Sequence, residues 1–117
     1  ILGLRFEKEG ESFVYMWLVQ TNNQTWQSYR NSVLDVQKFD EELQLSLKIE
    51  GQEVDWQNKP EQDELTGELK RTPHIVFLPG GDQTAFELLI EDPLDKQSWK
   101  LIGNSVGQVE VEYEAYE

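Results

Sequence analysis

Cysteine is absent from this sequence, and histidine and methionine occur once each. The first absence excludes disulfides, a thiol nucleophile and a zinc–thiolate site, but leaves the compartment open, since many periplasmic proteins also lack cysteine. Positive charge is scarce too: 10 Lys and Arg stand against 23 Asp and Glu, a formal net charge of −13. Such a surface repels phosphate, which disfavours nucleic-acid binding and docking on anionic lipid. Solubility is the ordinary use of this charge, and a basic partner or bound calcium are its special ones. The sequence holds no apolar run of about 18 residues, no signal peptide and no lipidation motif, so the chain as given neither spans nor anchors in a membrane. It opens at Ile1 rather than methionine, which predicts a trimmed or processed start.

What is present reads as strands. The 117 residues fit one domain, 1–117, large enough to bury roughly 60 to 70% of its unfolded surface without staples. Leu2, Leu4 and Phe6 alternate with Gly3, Arg5 and Glu7, predicting a short strand with one apolar face that ends in the turn Lys8-Glu9-Gly10-Glu11. From Ser12 to Val19 both faces are apolar, with Phe13, Tyr15 and Trp17 on one and Val14, Met16 and Leu18 on the other. That pattern predicts a central strand covered on both sides. Thr21-Asn22-Asn23-Gln24 reads as a turn, and a returning strand runs from Trp26 through Tyr29. In the irregular stretch Arg30 to Glu42, Val33, Leu34, Val36 and Phe39 are spaced for a turn or two of helix. Leu43, Leu45, Leu47 and Ile49 alternate cleanly with polar residues, and this strand is closed by Glu50-Gly51 and answered by Val54 and Trp56 in a hairpin. Gln57 to Arg71 is polar and acidic, a long exposed loop.

The stretch Thr72 to Glu91 is expected to organise the rest. Two apolar runs, Ile75 to Leu78 and Ala85 to Ile90, flank Pro79-Gly80-Gly81-Asp82, a turn composition that predicts a hairpin. Because the first run is apolar throughout, it reads as a second central strand. Asp92-Pro93-Leu94-Asp95 makes a further turn, and Trp99 and Leu101 open a strand ending near Gly103-Asn104. Val109, Val111 and Tyr113 alternate with Glu110, Glu112 and Glu114, a solvated strand suited to an edge. About eight or nine short strands predict a mainly β fold of two packed antiparallel sheets. A simple sandwich wets its outer faces, so Val14, Met16, Leu18, Val76 and Leu78 call for additional cover, which a helix outside this chain would supply.

No catalytic constellation stands out. His74 has no cysteine, second histidine or obvious orienting carboxylate, and lone histidines are usually structural. Gly-x-Ser-x-Gly is absent, and no carboxylate pair is singled out for glycoside cleavage. Asp55, Glu61, Asp63 and Glu64 could gather around calcium, although flexible acidic loops are ordinarily just solvated. Trp17, Trp26, Trp56 and Trp99 invite a carbohydrate-stacking reading; Trp17 and Trp99 fall at inward strand positions, leaving Trp26 and Trp56 as its carriers. Gly80-Gly81 lacks the lysine of a phosphate loop and reads as a turn. The expectation is therefore a non-enzyme without catalytic residues, cofactor or metal.

Taken together, Leu2-Gly3-Leu4-Arg5-Phe6, the aromatic strand Phe13 to Trp17, Trp26-Gln27, the alternating Leu43 to Ile49 closed by Gly51, and Ile75-Val76-Phe77-Leu78-Pro79-Gly80-Gly81-Asp82-Gln83-Thr84-Ala85-Phe86 resemble one family. It is that of the H-type minor pseudopilins of the bacterial type II secretion system, within the type IV pilin-like H/FimT group. The resemblance implies a structural subunit with a long apolar N-terminal helix, cleaved and methylated by a prepilin peptidase, that anchors it in the inner membrane. It further implies a periplasmic β domain at or near the pseudopilus tip, whose partners are the other pseudopilins. This chain departs from that pattern in lacking the helix and its glycine-containing cleavage site. Leu2, Leu4 and Phe6, where a helix would hand over to the sheet, are the candidate partner-binding residues. The rival reading is a periplasmic or extracellular carbohydrate-binding β-sandwich.

Overall fold

Alternation at the N-terminal end builds a hairpin directly. In the structure, a computed structural model that describes residues 1–21, 25–29, 36–67 and 69–116, β1 (Leu2–Glu9) and β2 (Ser12–Gln20) pair antiparallel from Leu2–Val19 to Glu9–Ser12. β3 (Trp26–Ser28) and β4 (Gln37–Lys38) both pair with β2. β5 (Gln44–Ile49) and β6 (Gln52–Glu53) begin a second sheet, and β7 (Glu61–Gln62) pairs with β8 (Leu69–Lys70) in a small separate ribbon. The chain then returns to the first sheet through β9 (Ile75–Phe77), antiparallel to β1. β10 (Phe86–Asp92), β11 (Gln97–Gly103) and β12 (Val109–Ala115) complete the second sheet as a meander. The first sheet runs β3-β2-β1-β9 with β4 also on β2, and the second runs β12-β11-β10-β5-β6.

These two antiparallel sheets form the mainly β, sandwich-like fold that the alternation predicts. Phe6, Phe13 and Ile75 of the first meet Leu45, Leu47, Phe86 and Leu88 of the second in one buried cluster, on which Leu4, Tyr15, Phe77, Ile90 and Leu101 pack. Removing each large apolar side chain from water contributes about 1.5 to 3 kcal/mol. Trp56 seals one part of this core: its ring meets Phe13 edge-on at 5.2 Å, and its Nε1–H donates to the Leu45 carbonyl at 3.0 Å. Gly103 lies under the Phe86 ring, where a Cβ would collide with it, so this position on β11 must lack a side chain for Phe86 to enter the core.

The outer face of the first sheet is already covered. Val14, Met16 and Leu18 are buried in a second cluster with Trp26 packed against it, and Trp26 and Pro73 lie over Gly3. These three residues therefore need no helix from outside. Of the others expected to need cover, Val76 is half-buried and Leu78 is exposed.

Three expectations change in the structure. The turn at Pro79–Asp82 closes only a short antiparallel pairing, and the two apolar runs do not pair with each other as strands: β9 joins β1 in the first sheet, whereas β10 lies between β5 and β11 in the second. Local pairing is limited to the Phe77–Gln83 bridge and its flanking bonds, Leu78 N–H to Asp82 O and Thr84 N–H to Val76 O. The turn chemistry is real, but β10 satisfies its backbone edges with β11, the next strand in the chain, on one side and the distant β5 on the other, leaving no edge for β9. For the same reason β9 is an edge strand and not a central one. Second, the expected loop 57–71 carries β7 and β8, joined by a turn in which Asp63 Oδ1 accepts from the amides of Leu65 and Thr66. Third, the helical spacing at 30–42 falls partly on residues 30–35, outside the described residues. Beyond them, Gln37–Lys38 is strand and Phe39 packs on the core. Asn22, Asn23 and Gln24 of the expected turn also lie outside the described residues.

Candidate partner-binding surface

Leu2, Leu4 and Phe6 share one face of β1, and it is the inner one. Phe6 is a core residue, 4% exposed, and Leu4 packs against the same cluster. Only Leu2, half-buried beside Val19 and Phe77 at the start of β1, and the exposed Ile1 before it lie toward the end of the sandwich. Any partner that meets this face of β1 does so there.

A wider apolar surface lies on the second sheet. Register places Val109 beside Gly103, Val111 beside Leu101 and Tyr113 beside Trp99, all on the face that carries Leu88 and Leu47. Yet Val109, Val111 and Tyr113 are 49%, 63% and 58% exposed. The first sheet stops short of them, leaving an apolar ledge on the core side of β12. The Tyr113 ring lies 5.7 Å from that of Trp99, and its hydroxyl donates to Gln97 Oε1. The ledge starts at the N-terminal end of β1. Phe77, opposite Leu2, bridges to buried Gln83, whose amide nitrogen donates to the carbonyls of Asn104 and Gln108 just before β12. Alternation in sequence identified this strand as amphipathic; it could not show that the opposing sheet ends before covering it.

A polar cluster flanks β1. The Glu7 carboxylate accepts from Arg5 Nε at 2.7 Å and from Arg71 Nε at 2.6 Å, while Arg5 Nη1 donates to the Thr72 carbonyl at 2.8 Å. Burial pushes the Glu7 carboxyl up, but hydrogen bonds from Arg71 and Arg5 and their charges outweigh it and hold the group below its ordinary value. His74 Nδ1 accepts from the Phe6 amide at 3.1 Å, so the ring is neutral, and it packs on Phe6 and edge-on to Trp56. Burial, aided by the Arg5 charge and partly opposed by Glu7, lowers its pKa to about 4. Glu7 and Arg71 are far apart in sequence, and no local pattern announces their pairing. This arrangement fastens the segment before β9 to β1, which is a structural task.

Trp26 packs outside the first sheet and Trp56 against the inter-sheet core, so they do not form a shared sugar platform. Among the described residues no group of three or more His, Asp or Glu is placed to hold a metal. Asp55 and Asp63 instead accept backbone amides of their own turns. A concavity of about 750 Å³ beside Lys8, Trp56 and Lys59 is a shallow depression. No helix among the described residues is long and apolar enough to cross a membrane. Compared with protein-family models, with curated proteins and with solved structures, the chain matches none.

Proposed function

We propose that this chain is the periplasmic domain of an H-type minor pseudopilin, a non-catalytic subunit that assembles with other pseudopilins at or near the tip of the type II secretion pseudopilus. In this reading the full-length protein is held in the inner membrane by an N-terminal helix preceding Ile1, and filament growth drives folded proteins across the outer membrane. The single observation that carries the reading furthest is the apolar ledge of Val109, Val111 and Tyr113, which begins at the end of the sandwich where β1 starts. A surface of this kind suits packing against another chain or segment, because exposed apolar groups gain most when a partner removes them from water. The residues from Ile75 to Phe86 add the sequence resemblance. A carbohydrate-binding module is the weaker reading, since Trp26 and Trp56 lie on different faces.

The deciding experiment is to read the coding sequence ahead of Ile1. An apolar stretch of about 20 residues following a basic leader that ends in glycine is the expected result. An ordinary cleavable signal peptide there ends the proposal.

A further inference from the structure

β12 combines three features that no other strand shares. Among the described residues it is the edge of the second sheet, with only β11 beside it. Its core-side residues Val109, Val111 and Tyr113 are exposed. On its opposite face, Glu110, Glu112 and Glu114 are exposed, and none of them forms an ion pair among the described residues. The hydrogen-bond phase adds a fourth point. Tyr116 N–H donates to Lys96 O at 2.8 Å and Asn104 N–H to Gln108 O at 3.0 Å, in the register that joins β11 to β12. Antiparallel pairs alternate between bonded and non-bonded, so Glu110, Glu112 and Glu114 direct their backbone groups to β11. The amides and carbonyls of Val109, Val111, Tyr113 and Ala115 therefore point away from the sheet, toward the open edge.

We propose that this edge docks an extended segment of another protein that alternates apolar with basic residues, adding it as a further strand beside β12. The free backbone groups would pair with the incoming strand, a recognised mode of peptide capture. Its apolar side chains would continue the ledge of Val109, Val111 and Tyr113, and its lysines or arginines would face the three glutamates. Charge selects the occupant. A second copy of this chain would set one glutamate row against another, and like charges directly opposite are destabilising. A neutral strand would leave those carboxylates unmatched. The inference shares its ledge with the pseudopilin reading but does not depend on it: a processed N-terminal helix and an occupied β12 edge are separate properties and can fail separately.

The test uses the 117-residue chain and a seven-residue synthetic peptide alternating valine with lysine, with an otherwise identical valine–glutamate peptide as control. Amide hydrogen exchange is followed by NMR. In the free protein, Val111 and Tyr113 amides exchange quickly and Glu112 slowly; the basic peptide slows Val111 and Tyr113, and the acidic peptide does not. The triple substitution Glu110→Gln, Glu112→Gln, Glu114→Gln, on exposed positions that leave the fold intact, weakens basic-peptide binding by about tenfold, the size expected of three exposed ion pairs. Val111→Pro, which removes an outward amide without touching the β11 ladder, abolishes the added protection while the melting transition persists. The proposal is overturned if the basic peptide leaves Val111 and Tyr113 unprotected, or protects them equally in the glutamine variant. It is also overturned if these amides are protected in the free protein because it sediments as a dimer.

Discussion

At the scale of single residues, His74 and Glu7 decide how the fold meets acid. Burial lowers the His74 pKa to about 4 from an ordinary 6.5, and the neutral ring accepts the Phe6 amide at Nδ1. Between those values the unfolded chain binds a proton that the folded one does not, so stability rises with pH across this range. The contribution is complete above about pH 6.5 and is lost as pH falls to about 4, at most about 3 kcal/mol and nearer 2 once solvent screening of the half-buried ring is counted. Glu7 acts in the same direction lower down: its pKa lies below 4.5 in the folded chain, so its contribution is present above 4.5 and is lost as pH falls further. From pH 7 to 4 the native chain should therefore lose melting temperature relative to His74→Gln, a difference separate from the relief of negative self-repulsion common to both, while the variant is the less stable at neutral pH. Parallel curves for the two would remove His74 from the account.

At the scale of elements, the turn between β5 and β6 is unusually exacting. Glu50 and Gly51 have φ of 51° and 85°, both left-handed, as a two-residue hairpin loop of the mirror-image type demands. Glycine accepts this conformation freely, but glutamate does not. Glu50→Asn should raise stability by about 0.5 to 1 kcal/mol, seen as a higher denaturation midpoint with an unchanged slope. Such local features were readable in the sequence. Alternation from Leu43 to Ile49 and the Glu50-Gly51 dipeptide announced strand and turn, and the doubly apolar stretch from Phe13 to Leu18 announced a strand buried on both faces. Partner choice was not readable. Nothing near Pro79–Asp82 distinguishes a hairpin from a crossing between sheets, because the difference lies in Leu2–Leu4 and in β5, both far away in sequence. Leu2, Leu4 and Phe6 were correctly placed on one face for the same local reason, but which side that face would meet depends on the second sheet. The β12 ledge is not legible in the sequence because exposure is set by where the opposing sheet stops.

At the scale of the whole molecule, charge and topology set the behaviour. With a net charge of −13 and a few ion pairs among the described residues, the exposed ones at 3.9 and 4.0 Å, self-repulsion outweighs local pairing. Raising monovalent salt from about 10 to about 150 mM, which shortens the screening length to about 8 Å, should raise the melting temperature. A fall would mean that ion pairs dominate instead. Topology bears on how the domain carries load. β1 is gripped on both sides, by β2 through eight residue pairs and by β9 through three, and it begins one residue after Ile1. Tension applied at Ile1 along the strand would act in shear on both ladders at once, instead of peeling bonds one after another. The domain is thus built to resist a pull transmitted through Ile1 along β1.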